Sequence, residues 1–177
     1  MSNTKIINIY PIKNTQNRDV ELIIANSIIK NSSNLSDFDL DSIIKIITEL
    51  TQVVNGTLDS MYWGQEQIMI DSEKVNSVCF DDTNNENLGS VSTQALLNLM
   101  IEIRDFKQYY QNSNNLKNVV GQAFNAIKSD PNNYKRFPNS DFHFIVTIND
   151  IYITLILNPE DFNLSQNEYT NQLQTIF

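Results

Sequence analysis

Two apolar runs, Phe142–Ile148 and Ile151–Leu157, meet at Asn149-Asp150, and no other feature constrains the fold of this chain as tightly. Asn and Asp both tolerate the positive φ that a two-residue hairpin turn demands, so the pair predicts two antiparallel strands in fixed register. Ile148 then faces Ile151, Val146 faces Ile153 and Phe144 faces Leu155. These six side chains share one face, because side chains alternate across a strand, and that face must be buried. The opposite face carries His143, Ile145, Thr147, Tyr152, Thr154 and Ile156, and is mixed.

Elsewhere the apolar period assigns the elements. Lys5–Ile12 alternates in part and stops near Pro11, as a short strand does. Val20, Ile23, Ile24 and Ile28 recur at helical spacing and predict a helix over 19–30. A second helix is expected from Ser36, with the Ser36 hydroxyl as cap and Asp37 and Asp39 at the positive end of the dipole. Its stripe is Ile43, Ile46, Ile47, Leu50 and Val54, and Asn55-Gly56 ends it. The period then switches to two. Ile68 and Ile70 alternate with Gln67, Met69 and Asp71, and Asn76, Val78 and Phe80 alternate with Ser77 and Cys79, which predicts a second hairpin. An acidic, Asn-rich loop over 81–89 leads to a helix opening at Ser92 or Thr93, with Leu96, Met100, Ile103, Phe106 and Tyr110 on one face. A further helix over 116–128 presents Val119, Val120, Phe124 and Ile127, and a final weak helix is expected over 160–177. Four to five helices against two hairpins make an α+β chain with a mainly antiparallel sheet. With no repeat or linker, residues 1–177 read as one domain.

Charge is segregated along this order. The net charge of -9 resolves into +2 over residues 1–36, -9 over 37–86, +3 over 87–136 and -5 over 137–177. Such a surface repels phosphate, which argues against direct contact with nucleic acid or an anionic membrane. A single cysteine, Cys79, allows no internal disulfide. With no apolar leader at the start and no apolar run long enough to span a bilayer, the cytoplasm is the expected compartment.

No catalytic, cofactor or metal apparatus stands out. The chain has one histidine, His143, and one cysteine. A His143–Cys79 dyad would need their two strands to be neighbours, and each residue reads more simply as structural. Zinc needs several such ligands at set spacing. Asp82-x-Asn84-x-Glu86 opens like a calcium loop, but Asn87 stands where glycine is required and Thr93 where a bidentate Glu is. The four glycines are isolated, so no phosphate cradle forms. Tyr62-Trp63-Gly64 beside Glu66 only hints at a carboxylate site, and Trp63 reads better as a core anchor. Lys128, Lys135 and Arg136, interleaved with Tyr134 and Phe137, read as a solvated loop rather than a phosphate-binding patch.

The stretch Met61-Tyr62-Trp63-Gly64-Gln65-Glu66-Gln67-Ile68-Met69-Ile70-Asp71, then 75–82, then Ser92-Thr93-Gln94-Ala95-Leu96-Leu97 on to Phe106 resembles the small immunity proteins that accompany bacterial polymorphic and contact-dependent toxins. The resemblance covers about residues 60–110. It implies a stoichiometric, acidic inhibitor that plugs the active site of a cationic nuclease. The charge supports the same expectation independently, since eleven acids within fifty residues would steer a basic partner and raise its on-rate. The partner-binding candidates are Asp71, Glu73, Asp81, Asp82 and Glu86, with Tyr62 or Trp63 as the desolvated anchor. Asp37, Asp39 and Asp41 are expected to serve the helix start. The alternative is another non-catalytic binding or structural protein, such as a phage nucleic-acid mimic or an assembly subunit.

Overall fold

The computed structural model describes residues 3–65, 67–136 and 143–174, leaving aside the Arg136 side chain. Glu66, Phe137 and the expected strand start at Phe142 lie outside the described residues. The chain folds into an α+β arrangement of mostly antiparallel strands. It forms two compact units, Met1–Thr4 with Ile23–Lys107 and Lys5–Leu22 with Gln108–Phe177.

The first strands are β1 (Asn3–Pro11) and β2 (Arg18–Asn26). In the first unit a 3-10 turn, Ser32–Asp37, precedes a helix, and the helix is followed by a four-stranded meander. Helix α1 (Leu40–Asn55) buries Ile43, Ile46, Leu50 and Val53, close to the expected stripe. Its cap is not Ser36. The Asp39 carboxylate accepts from the Ser42 amide at 2.7 Å, while the Ser36 hydroxyl is buried and accepts from the Ile24 amide at 2.9 Å. Gly56 closes the helix at φ 76°, a conformation that a side chain disfavours. The meander runs β3 (Ser60–Gln65), β4 (Ile68–Glu73), β5 (Asn76–Phe80) and β6 (Asn87–Ser92), each antiparallel to the next. The hairpin β4–β5 matches its sequence signal, whereas β3 and β6 carried none that was read. Helix α2 (Thr93–Gln111) buries all five residues of its expected face.

The predicted helix over 19–30 is overturned, because Arg18–Asn26 is strand β2. Val20, Leu22 and Ile24 are buried in alternation, whereas Ile23 is half-buried and Ile28 is 49% exposed. Sheet burial, with a period of two, overrides the helical spacing of a β-branched run.

The second unit is built on a six-stranded sheet that adds β7 (Lys135–Arg136), β8 (His143–Ile148), β9 (Ile151–Ile156) and β10 (Leu173–Gln174) to the first two strands, in the order β10-β2-β1-β9-β8-β7. Helix α3 (Ser113–Ser129) covers it with Val119, Val120, Phe124 and Ile127. The short β7 (Lys135–Arg136) pairs with β8 (His143–Ile148), and β8 with β9 (Ile151–Ile156). Asn149 and Asp150 adopt φ 50° and 62°, and Ile148–Ile151, Val146–Ile153 and Phe144–Leu155 pair in the expected register. β1 and β9 run parallel. The final helix is corrected. A 3-10 turn (Pro159–Asn163), a short α4 (Gln166–Thr170) and β10 (Leu173–Gln174) replace it, because Asn158 and Ser165 each open a new capping box and interrupt any single helix. No described helix is long and apolar enough to cross a membrane.

Candidate functional site

The inner face of the meander buries Trp63, Ile68, Ile70, Cys79 and Val91, and two serine hydroxyls among them. Trp63 Nε1 donates to Ser72 Oγ at 3.1 Å, Ser77 Oγ donates to the same oxygen at 3.0 Å, and Ser77 lies 3.0 Å from Thr93 Oγ1. Ser72, Ser77 and Thr93 have no exposed surface, and the Thr93 hydroxyl closes the chain by donating to the Glu73 carbonyl. A buried network of this kind fixes the register of the strands it joins. The outer face instead keeps Met69, Val78 and Phe80 half-buried and Tyr62 60% exposed. An exposed tyrosine among half-buried apolar groups on the outer side of a sheet is the informative departure from ordinary sorting.

Register lines these outer residues up. Tyr62, Asp71, Val78 and Ser90 form one row across all four strands, where directly opposed side chains stand about 5 Å apart. Glu73 pairs with Ser60 beside that row, and Met69 with Phe80 on its other side. The Tyr62 and Phe80 rings lie 6.0 Å apart at 37°, bridging the two rows diagonally. Neither Asp71 nor Glu73 forms an ion pair with a described residue.

Asp81, Asp82 and Glu86 belong to the β5–β6 turn, at the Phe80 end of this face. Asp81 is committed to the turn. Its carboxylate accepts from the Thr83 hydroxyl at 2.5 Å and the Thr83 amide at 2.8 Å, and these two bonds hold its pKa below the usual carboxylate range. Glu86 pairs with Lys30, both largely in water, so the pair adds little stability. Asp82 is exposed and unpaired among the described residues. Of the seven candidates, the structure therefore puts Tyr62, Asp71 and Glu73 on one outer face and Asp82 at its end, with Asp81 and Glu86 engaged locally. Trp63 points the other way and is 7% exposed, as a core anchor is. Met69, Val78 and Phe80 were missed as site residues. Their alternation was legible, but sequence does not say which side of a hairpin will be covered.

A groove of about 260 Å³ opens beside this sheet, lined by Phe38, Ile46, Met61 and Trp63, with Lys45 and Glu49 on its rim. Every sheet residue lining it belongs to β3, the edge strand. Gly64 forms part of its wall, and a Cβ there would lie 2.2 Å from the Ile68 carbonyl oxygen, so no larger residue fits.

Groups that could carry covalent chemistry stand apart from this face. Cys79 is buried, and burial pushes its thiol up to about 11, away from the reactive thiolate. His143 lies in the other sheet, opposite Ile156. Lys128 donates to the Leu164 carbonyl and sits 5.7 Å from the Phe124 ring, so this member of the basic cluster holds the C-terminal segment. Compared with protein-family models, curated proteins and solved structures, the chain matches none.

Proposed function

We propose that this is a cytoplasmic, non-catalytic binding protein of the immunity type, which docks a cationic toxin on the outer face of the meander and blocks it stoichiometrically. The observation that carries the reading is the Tyr62–Asp71–Val78–Ser90 row with Glu73 beside it, a polar-rimmed aromatic surface whose carboxylates have no cation partner among the described residues. Exposed carboxylates steer a basic partner, and a tyrosine between them supplies contact area that loses little conformational entropy when ordered. A nucleic-acid mimic would need carboxylates without the aromatic and aliphatic groups that share this face.

The test is binding of the purified chain to the basic domain of the toxin encoded beside its gene, followed as salt is raised from about 50 to 200 mM. Affinity is expected to fall at least tenfold over that range. Asp71→Lys with Glu73→Lys and Asp82→Lys is expected to slow association at least tenfold, while Asp105→Lys with Asp130→Lys and Glu160→Lys, three charge reversals at exposed positions elsewhere, is expected to have a lesser effect. Salt-independent affinity, or equal effects of the two sets, would sink the reading.

A further inference from the structure

The two edges of the meander differ. Along β6 the chain covers itself, since the Lys30 amide donates to the Leu88 carbonyl at 2.7 Å and a Cβ at Gly89 would meet the Ile28 carbonyl oxygen at 2.7 Å. Along β3 no described residue hydrogen-bonds from the side away from β4. Ser60-Met61-Tyr62-Trp63-Gly64-Gln65 also lacks the lysine, proline or inward charge by which edge strands are normally blunted. Beside that same edge lies the groove of Phe38, Ile46, Met61 and Trp63.

Resting on the docking reading above, we propose that β3 accepts an extended segment of the partner as a fifth strand, and that this segment alternates apolar and basic side chains. Alternation follows from strand geometry, with successive side chains directed to opposite faces. Those on the inner side meet the groove, whose 260 Å³ lies just below the range that holds drug-sized ligands and suits one large apolar side chain. Those on the outer side flank Tyr62, with Asp71 two strand spacings away, about 10 Å, within reach of an extended lysine or arginine. A cation there meets the tyrosine face and an uncompensated carboxylate together. A second copy of this chain is the poorer occupant, because its own β3 brings no positive charge.

The probe is an acetylated, amidated hexapeptide of alternating lysine and leucine, matched in length to the six residues of β3. Trp63 is the only tryptophan in the chain and lines the groove, so its emission reports occupancy directly. The expected result is a saturable change in Trp63 emission with slowed amide exchange confined to residues 60–65 on the meander. Methylating the peptide's alternate backbone nitrogens should weaken binding at least tenfold in one of the two possible sets and much less in the other, since only one set faces β3. A block arrangement of the same lysines and leucines, and the Tyr62→Ala/Asp71→Lys protein, should each weaken binding about tenfold. Equal binding of both methylated peptides, protection mapping elsewhere, or a dimer whose β3 amides are protected without peptide would overturn the proposal. If the peptide fails while the toxin still binds in an Asp71- and Glu73-dependent way, only the strand addition falls. If the peptide binds as described and the toxin does not, the functional reading falls and the edge site stands.

Discussion

On the outer face of the meander, Asp71 and Glu73 stand in water beside an exposed tyrosine. In the second unit Arg18 and Asp161 are each 4% exposed and meet at 2.5 Å. The buried pair is fully furnished. Arg18 also donates to the Ile156 carbonyl at 3.2 Å and to Gln172 Oε1 at 3.4 Å, while Asp161 accepts from the Asn158 amide at 2.7 Å. Its guanidinium lies 5.3 Å from the Tyr169 ring, which stacks on Phe124 at 4.2 Å. Charge in one place ties the C-terminal segment to the sheet, and in the other it stands in water without an ion pair among the described residues. Burial and partner count, not the presence of a carboxylate, separate the two settings.

The sharpest way to break that contrast is to remove one carboxylate from each region. Asp161→Ala leaves Arg18 buried and unpaired, which should cost about 3–5 kcal/mol. Replacing both partners by apolar residues, Arg18→Met with Asp161→Leu, should cost much less, because no orphaned charge remains. Asp71→Ala, on the exposed face, should change stability by no more than about 0.5 kcal/mol. Urea unfolding of the four proteins compares them directly. Similar losses for Asp161→Ala and Asp71→Ala would show that the exposed carboxylate is structural after all, and would remove it from the candidate surface.

Local signals carried their elements into the structure, and non-local ones did not. Asn149-Asp150 fixed a hairpin because turn chemistry and strand alternation agree within sixteen residues. The α2 face was legible because its five apolar positions follow one helical stripe. β2 reads as a helix because Val20, Ile23, Ile24 and Ile28 fall at helical spacing, while its strand alternation begins and ends on polar residues, Arg18 and Asn26. The burial of Asn26 is satisfied by contacts no pattern displays: Asn26 Oδ1 accepts from the Ile28 amide at 2.9 Å, and its Nδ2 donates to Asn3 at 2.8 Å. The Arg18–Asp161 pair joins residues 143 positions apart, so neither side chain looks unusual alone. At the candidate site the acids were readable as charge, while the face they share depended on Ser72 and Ser77 taking the inner side.

A second comparison concerns buried polar groups. The Tyr169 hydroxyl is buried without a hydrogen-bond partner among the described residues, and burial pushes its pKa upward. Tyr169→Phe removes only an unsatisfied group and keeps the ring stacked on Phe124, so stability should hold or rise by up to about 1–2 kcal/mol. Ser72→Ala does the reverse in the meander. It strands the Trp63 indole N–H in a buried setting and should cost about 1–3 kcal/mol. Thermal unfolding of each variant decides the matter, and a destabilised Tyr169→Phe would mean that the hydroxyl has a bound water as its partner.

The smallest expected effect is a pH dependence, and it separates the two units again. Asp39 caps α1 with Ser42, whose amide and hydroxyl donate at 2.7 and 3.0 Å, and these bonds hold the carboxyl below its ordinary pKa. Glu168 does the same for α4, accepting from the Ser165 amide and hydroxyl, both at 2.7 Å. A carboxyl whose folded pKa is lowered binds its proton more readily in the unfolded chain. The stability it confers is therefore present above the ordinary value, near 4, and is lost as pH falls through the folded value. Asp39→Ala should lower the unfolding midpoint at neutral pH, with the gap to the parent protein closing as the solution is acidified below about pH 4. Asp39→Asn keeps a capping oxygen without a titrating proton, so its gap should be small and should vary less with pH. Glu168→Ala should show the same sign with a smaller gap, because α4 has five residues to hold in place and α1 has sixteen. A gap for Asp39→Ala that stays constant down to pH 2 would place its effect in helix propensity and not in the ionised cap.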